Sequence, residues 1–310
     1  MMRLKLKSHA KINLILEVLF RRQDGYHQLR SILQELELHD TLYLEEIPGG
    51  KLELICDDPS LPSGKGNLAF RAAQLMQSTY APARGVRIRL KKRIPVAAGL
   101  GGGSSNAAAV LKGLNRLWGL FLHDDDLRKL GSLLGSDVPF FISGGTALAG
   151  GRGEIIQPLP LFPRTKVLLV AVHGAKLSAA EVYSALDLDK ISSMTKIDRF
   201  VRLLEKNVDG AGAGVGKDYF NALTSLIQNH LETPVFELHK DTASLKEKLL
   251  QQGLAATVSG SGPTLFILSR DDQLLYKLER ELPREGCWTM ITETITGKED
   301  IIEIEEKGGG

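Results

Sequence analysis

The chain reads Pro95-Val-Ala-Ala-Gly-Leu-Gly-Gly-Gly-Ser-Ser-Asn106, a glycine-rich stretch that runs directly into an apolar helical pattern. The pattern predicts a helix with one packed face and comprises Ala107, Val110, Leu111, Leu114, Leu117 and Trp118. The glycines leave room for a bulky anion beside the backbone, and the first N–H groups of the helix lack internal partners. The stretch therefore predicts a phosphate-binding loop, the alternative being a flexible turn with Ser104 or Ser105 as helix cap.

This loop differs from the common nucleotide-binding motifs. A Walker loop ends in Gly-Lys-Ser/Thr, whereas this helix opens with Gly103-Ser-Ser-Asn106 and has no lysine there. The dinucleotide motif needs a third glycine where Ser104 stands. The chain contains neither His-Arg-Asp nor Asp-Phe-Gly, which excludes the protein-kinase fold. A cation for a bound phosphate must therefore come from another part of the chain.

Length and composition are those of a globular protein of about two domains. Of the 310 residues, 43% are hydrophobic and 25% are charged, and the formal net charge of +2 does not indicate nucleic acid or a membrane surface as a partner. The two cysteines, Cys56 and Cys287, form neither a paired metal-site motif nor a disulfide framework. The basic start of the chain has no cleavage site, and no window reaches the ~18 apolar residues of a membrane span. We therefore expect a cytoplasmic protein.

Apolar periodicity predicts a strand-rich first half and a second half in which two helices pack on an antiparallel sheet. In the first half we expect strands at 4–7, 12–19, 29–38, 42–45, 52–55 and 86–91, and helices at 67–80, after the loop and at 124–134. In the second half we expect strands at 167–172, 255–259, 265–268 and 289–296, and helices at 179–186, 219–231, 245–252 and 273–282. The prolines at 158–163 indicate a boundary between domains 1–157 and 158–310, and the tail 301–310 is expected to be frayed.

Four further segments place polar residues or glycines in unusual settings. Lys11 and Asn13 share one face of a predicted strand, either as solvated residues or as site residues. Asp24-Gly-Tyr-His27 is either an ordinary hairpin turn or a turn that presents an aromatic ring and an imidazole. Asp137 either caps the helix that follows it or is a proton-accepting carboxylate in apolar surroundings. Ser259-Gly-Ser-Gly262 is either a tight turn or a second glycine-rich backbone that closes over a substrate or its phosphate.

Taken together and in this order, these segments resemble the GHMP small-molecule kinases. The glycine loop is typical of the superfamily, whereas Ala10-Lys-Ile-Asn-Leu14 and Asp24-Gly-Tyr-His27 are similar to its members that phosphorylate a cytidine-diphosphate methylerythritol in the non-mevalonate isoprenoid pathway. The resemblance implies an α+β fold with a mixed α/β N-terminal nucleotide-binding domain and a ferredoxin-like α+β C-terminal domain. It also implies ATP-dependent phosphorylation of the 2-hydroxyl of the methylerythritol unit. The implied partners are small molecules, and neither nucleic acid nor a membrane is among them.

The resemblance further implies roles for the residues nearest the reaction. Asp137 would take the proton from the attacking hydroxyl, and Lys11 would lie beside it, keep it ionised and neutralise charge near the transferring phosphoryl group. The residues expected to hold the ATP phosphates are Pro95, Val96, Ala97, Ala98, Gly99, Leu100, Gly101, Gly102, Gly103, Ser104 and Ser105. Mg²⁺ would accompany the nucleotide without an identified carboxylate ligand. Asn67 and Lys65 are candidates for the adenine pocket.

For the acceptor, the resemblance implies contacts from Asn13 and a cytosine site. Tyr26 and Tyr183 would stack on the two faces of the base, and His27 would bond its edge. The chain departs from the family pattern nearby, since His173 replaces a proline and Ala179 replaces a residue with a hydroxyl. A third departure is His9, which stands where the family often has proline.

Two alternatives remain open at this point. A homoserine or mevalonate kinase shares the loop, although such acceptors carry no base for Tyr26 and His27 to contact. A non-catalytic nucleotide- or RNA-binding module is the other, and the basic residues Arg87, Arg89, Lys91, Lys92 and Arg93 are its best support. The presence of both Lys11 and Asp137 favours an enzyme.

Overall fold

The computed structural model describes residues 2–190, 196–206, 216–282, 286–296 and 302–306, and its strands form two sheets. The strands of the larger sheet are β1 (Met2–Arg21), β2 (His27–Ile47), β3 (Leu52–Cys56), β4 (Gly85–Lys91), β5 (Thr146–Gly150), β6 (Ile155–Pro158), β8 (Gln228–Asn229) and β12 (Ile302–Glu306). Those of the smaller sheet are β7 (Lys166–Val172), β9 (Ala256–Val258), β10 (Leu265–Ser269) and β11 (Cys287–Glu293). The main path of the larger sheet is β12-β1-β2-β4-β3, and the smaller sheet runs β11-β7-β10-β9 with antiparallel pairs throughout.

The long hairpin of β1 and β2 is the scaffold of the first half. It pairs from Arg3 opposite Glu45 to Arg21 opposite His27, with three register shifts on the way. The sequence predicted four shorter strands over the same residues, and one of the shifts falls in the gap between the two strands predicted on β1. One shift follows His9, so the strand bends just before it delivers Lys11 to the site.

Four helices pack with the larger sheet: α1 (Leu68–Tyr80), α2 (Gly102–Leu117), α3 (Asp124–Leu134) and α4 (Val138–Ser143). The apolar stripe predicted after the glycine loop is buried, and Val110, Leu111 and Leu114 pack in one cluster with Leu4 and Leu42 of the hairpin. Because α2 is held along its length by this core, its first turn has a fixed position against β1 and β2.

The second half contains α5 (Ala179–Ser184), a 3-10 helix (Leu188–Lys190), α6 (Ile197–Glu205), α7 (Lys217–Thr224), α8 (Glu232–Leu238), α9 (Lys240–Gln251) and α10 (Asp272–Glu281). Val167 and Leu169 of β7 pack in a cluster with Ile12 of β1, whereas Leu168 and Val170 face the cluster that α9 and α10 complete. β7 is thus buried on both faces, which explains its uninterrupted apolar sequence. The prediction of two helices on an antiparallel sheet is confirmed. Among the described helices, none has the length and apolar character needed to cross a bilayer.

One helix prediction in this half is wrong. The helix expected at 219–231 ends at Thr224 as α7, and β8 follows at Gln228–Asn229 before α8 begins at Glu232. Asn229 explains the break, because its Oδ1 accepts the N–H of Leu231 at 2.9 Å and its Nδ2 donates to the carbonyls of Val258 and Gly260. These tertiary hydrogen bonds override the helical periodicity, and they bring the chain to the turn at 259–262. Helices α6 and α8 were not predicted either.

The tail was expected to be frayed, and this is also wrong for 302–306. These residues form β12, which pairs antiparallel with Met2–Leu6 of β1. Lys5 Nζ donates to Glu303 Oε2 at 2.9 Å. β12 covers an edge of the sheet that would otherwise leave backbone groups unpaired. The rest of the tail lies outside the described residues, and the division into domains 1–157 and 158–310 stays a prediction.

Candidate active site

The glycine loop connects β4 to α2, and the N-terminus of α2 is open. Gly101 occupies the N-cap position with φ of 71°, and no side chain caps the helix there. Ser105 lies buried within the first turns of α2, so the alternative in which Ser104 or Ser105 caps the helix is wrong. The first N–H groups of α2 therefore have no side-chain cap, and their binding of phosphate stays a prediction.

The turn at 259–262 packs directly against this loop. Ser259 Oγ donates to the carbonyl of Gly99 at 3.0 Å. Gly99 has φ of 74°, and a Cβ there would overlap the carbonyl oxygen of Ser259. A Cβ on Gly260 would lie 3.0 Å from Lys11 Nζ, so the turn also borders the predicted catalytic lysine. The second glycine-rich segment is therefore part of the site, although it lies far along the chain.

Lys11 and Asn13 are buried, so the solvated-strand alternative is wrong. Both residues are 4% exposed, and Lys11 Nζ donates to Asn13 Oδ1 at 2.5 Å. The Lys11 N–H donates to the carbonyl of Leu100 at 3.0 Å, which ties β1 to the glycine loop. Burial lowers the pKa of Lys11, and the charge of Asp137 opposes this shift only in part.

Asp137 stands at the N-cap position of α4 without acting as a side-chain cap. Its Oδ2 lies 3.8 Å from Lys11 Nζ, and its side chain is 37% exposed. Behind it, Phe140 and Phe141 are buried in the core. The helix-cap alternative is therefore wrong, and the carboxylate faces the site with a cation beside it.

The pair of Lys11 and Asp137 lies in a cavity of about 1140 Å³, and a second cavity of about 360 Å³ adjoins it. Gly99, Gly101 and Ser104 line both cavities. The smaller cavity is bordered by the glycine loop, Asn67 and Lys92. Asn67 Oδ1 accepts the N–H of Ala69 at 3.0 Å as the cap of α1, whereas Lys65 is exposed and is not in that lining. The glycine loop therefore lies between the two cavities and borders both of them.

Three aromatic residues also line the larger cavity. The ring of His27 stacks on Tyr183 at 5.3 Å between centroids, with 23° between the planes. Tyr26 is 52% exposed, and the guanidinium of Arg152 lies 4.9 Å from its ring centroid. Partial burial and the charge of Arg21 lower the pKa of His27, and burial raises that of Tyr183. The turn at 24–27 is thus both the end of the hairpin and part of the cavity wall.

Ser178 and Ala179 stand where the family pattern has two hydroxyl residues, and they lie at the start of α5. Ser178 caps α5 in a reciprocal box, in which its Oγ accepts the N–H of Glu181 and the Glu181 carboxylate accepts from Ser178. Its hydroxyl is used in the helix cap, and the next residue, Ala179, lines the cavity without a polar atom in its side chain.

Four polar residues in or beside the site carry no motif that marked them as site residues in the sequence. Arg21 and Arg152 line the larger cavity, and Asp40 binds Lys92 beside the smaller one. A signal existed for Asp40 and Lys92, since alternation puts them on the inward face with Leu42 and Leu90. No local pattern marks the two arginines, because only the folded hairpin and the β5–β6 connection bring them together.

The basic strand no longer supports a nucleic-acid-binding module. Arg87 Nε donates to Glu53 at 2.7 Å, and Lys91 lies over the ring of Tyr43. Lys92 points into the protein, where its side chain is 9% exposed. Three of the five basic residues therefore have partners within the fold.

Comparison with known proteins decides the family. The model of the GHMP kinases N terminal domain matches residues 67–145, and that of the GHMP kinases C terminal matches residues 196–286. The chain belongs to the GHMP kinase family. This GHMP kinase is an enzyme of the small-molecule kinase class, so the prediction from the five ordered segments is confirmed.

Relatives of this GHMP kinase match over nearly their whole length. A 4-diphosphocytidyl-2-C-methyl-D-erythritol kinase of Geobacillus kaustophilus is 42% identical, covering 89% of this chain and 92% of the relative. One of a Synechococcus species is 43% identical, covering 91% of each chain. A crystal structure of 4-(cytidine 5'-diphospho)-2C-methyl-D-erythritol kinase has 32% identity and a TM-score of 0.75, covering 94% of this chain and all of that one. A homoserine kinase from Cytophaga hutchinsonii shares the fold, with a TM-score of 0.70 and 18% identity over 98% of this chain and 97% of that one.

Proposed function

We propose that this kinase transfers the γ-phosphoryl group of ATP to the 2-hydroxyl of 4-diphosphocytidyl-2-C-methyl-D-erythritol and so forms the 2-phosphate. The observation that carries the proposal is the position of Asp137 and Lys11, which face each other in the larger cavity beside the glycine loop. The relatives with full-length matches are kinases named for this acceptor. Phosphoryl transfer depends chiefly on positioning and charge stabilisation, which this arrangement can provide.

In this reaction the glycine loop holds the phosphates of ATP, and Asp137 receives the proton of the acceptor hydroxyl. The phosphates lie on residues 95–105, where the N–H groups at the start of α2 are open. Lys11 keeps Asp137 ionised and compensates negative charge on the transferring group. Asn13 holds the Lys11 ammonium through its amide oxygen, and its position in the cavity wall suits a contact with the acceptor.

Magnesium enters the proposal with the nucleotide. Among the described residues there is no group of three or more histidine, cysteine or acidic side chains that could hold a metal ion. Ser104 lines both cavities and Asp137 lines the larger one, and each offers a side-chain oxygen. Such a sparse donor set fits Mg²⁺, which usually keeps several waters and binds through substrate phosphates and one or two protein oxygens. When bound, the ion would neutralise phosphate charge.

The aromatic and basic part of the larger cavity wall suits a cytidine diphosphate. Tyr26 and Tyr183 stack on the base, His27 binds its edge, and Arg21 and Arg152 supply two cations for the diphosphate. His27 now covers one face of the Tyr183 ring, so that face becomes available to a base only when the two rings separate. A homoserine or mevalonate acceptor would leave these groups without a partner.

The test measures ATP consumption by the purified enzyme with a panel of acceptors. We expect turnover with the cytidine-diphosphate methylerythritol and none with homoserine or mevalonate, and phosphorus NMR should place the new phosphate on the 2-hydroxyl. Equal activity on methylerythritol phosphate without the cytidylyl group would contradict the proposal, because the aromatic part of the cavity wall would then have no role in choosing the acceptor.

A further inference from the structure

A buried carboxylate lies behind the glycine loop, outside both cavities. Asp40, on β2, has no exposed surface. It accepts the backbone N–H groups of Arg93 at 2.6 Å and Ile94 at 2.8 Å, and the side-chain amide of Asn106 at 2.8 Å. Its fourth partner is the ammonium group of Lys92. An ionised carboxylate is tolerated at such a depth only when its oxygens are paired and hydrogen-bonded, and here they are.

The donors come from both ends of the glycine loop. Arg93 and Ile94 begin the loop where β4 ends, and Asn106 lies in the first turns of α2 just after it. One carboxylate therefore sets the distance between the strand that enters the loop and the helix that leaves it. Asn106 is held in turn by Ser8 of β1, whose hydroxyl donates to Asn106 Oδ1 at 3.2 Å. The loop is thus anchored to the strand that carries Lys11.

Asp40 also determines where the Lys92 ammonium lies. That ammonium borders the smaller cavity, and a Cβ on Gly102, the first residue of α2, would lie 3.3 Å from it. A cation at the positive end of a helix dipole is unfavourable by itself, and Asp40 compensates for this repulsion. The arrangement keeps a positive charge beside the phosphate-binding end of α2, which is the cation that the loop itself lacks.

We propose that Asp40 is a positioning residue for nucleotide binding, which holds the two ends of the glycine loop and the Lys92 ammonium in the geometry that receives ATP phosphates. The proposal rests on the proposed function of the loop. We expect Asp40 to affect the binding of ATP and not that of the acceptor, because the residues bonded to Asp40 lie at the glycine loop and the smaller cavity. A residue of merely structural importance would lower stability without separating the two substrates.

The test compares Asp40→Asn with Asp57→Asn as a matched control. Asp57 Oδ1 also accepts a backbone N–H of this segment, that of Lys92 at 2.8 Å, but it is exposed. Affinity for a non-hydrolysable ATP analogue is measured by calorimetry without acceptor, and KM is measured for each substrate. We expect Asp40→Asn to weaken analogue binding and to raise the KM for ATP by at least about tenfold, which corresponds to ~1.4 kcal/mol. The KM for the acceptor should stay within about twofold, and Asp57→Asn should behave as wild type.

Two further variants keep the test decisive. If Asp40→Asn does not fold, Asn106→Ala removes one donor without leaving a buried charge unpaired, and it should weaken analogue binding while sparing the acceptor. The loss of binding free energy for the analogue in the double variant Lys92→Met/Asp40→Asn should differ from the sum of the losses in the two single variants, because the two residues act together. Unchanged analogue affinity in a folded variant would refute the role of Asp40. Failure of the wild type to bind the analogue would instead refute the proposed function of the loop.

Discussion

Lys11 Nζ lies 3.8 Å from Asp137 Oδ2, with the lysine buried and the carboxylate partly exposed. The asymmetry has a chemical consequence. In the proposed reaction, the partly exposed carboxylate of Asp137 is accessible to the acceptor hydroxyl. The buried Lys11 acts on Asp137 and on the phosphoryl group through its positive charge. Burial lowers the pKa of Lys11, and its hydrogen bond to Asn13 Oδ1 fixes the direction of the ammonium group.

Replacing Asp137 with asparagine should separate chemistry from binding. We expect turnover to fall by roughly 10²- to 10⁴-fold, since an amide cannot accept the hydroxyl proton. The melting temperature should hardly change, because the side chain makes no cap hydrogen bond to α4. Stopped-assay kinetics and calorimetry with ATP measure the two effects. Asp124→Asn, at the exposed start of α3, is the control, and near-normal turnover in Asp137→Asn would remove Asp137 from the mechanism.

Replacing Lys11 with methionine should abolish turnover and change how stability depends on pH. The pKa of Lys11 is lowered in the folded state, so between that value and its ordinary value of about 10.4 the unfolded chain binds more protons. The free energy of unfolding of the wild type should therefore rise with pH relative to that of the variant. Urea unfolding at about pH 7 and pH 9.5 measures the difference. Lys129→Met, at an exposed side chain, is the control for the substitution itself, and a relative loss of wild-type stability at the higher pH would contradict the sign.

Two glycines of the loop should respond differently to valine. Gly103 is exposed and helical, and a Cβ there meets only Leu68 at 3.5 Å, so Gly103→Val should fold and weaken ATP binding. Gly101 has φ of 71° and a Cβ there would lie 2.8 Å from the ring of Phe141, so Gly101→Val should lower the melting temperature as well. Calorimetric titration with ATP and thermal unfolding distinguish the two variants. Unaltered ATP affinity in Gly103→Val would mean that the loop has only a structural role.

Removing one aromatic side chain of the larger cavity should weaken the binding of the acceptor and leave the binding of ATP unchanged. Stacking on a base is worth about 1–3 kcal/mol in nucleic-acid-binding proteins, so Tyr26→Ala or Tyr183→Ala should raise the acceptor KM by roughly five- to 150-fold. Tyr26 is the cleaner site, since it is half exposed and its loss costs little packing. The KM for ATP serves as the internal control. His27→Ala should also relax discrimination against the uridine analogue, and equal acceptor KM values in all variants would assign these residues to packing.

The sequence alone determined the parts of this protein whose information is local. The loop at 95–106, the helix stripe behind it and the alternation of β4 are each contained in one short segment, so their periodicity predicts them without knowledge of the rest. The five motifs and their order also identified the family, because each motif is a short continuous segment that can be recognised without the structure. The predictions failed where a local pattern competes with distant partners. Asn229 lies in β8 rather than in a helix and bonds to Val258 and Gly260, and in the tail β12 covers an edge of β1.

Only the tertiary structure decided how these segments meet. Lys11 and Asp137 are near one another because β1 and α4 border the same cavity, and the turn at 259–262 lies on Gly99 although it belongs to the other half of the chain. Asp40 likewise accepts hydrogen bonds from residues that are brought together only by the fold, at a strand end, in a loop and in a helix. The stacking of Tyr183 on His27 likewise depends on where α5 packs against the hairpin turn. Burial and distance between remote residues depend on the path of the whole chain, and no short window of sequence contains that path.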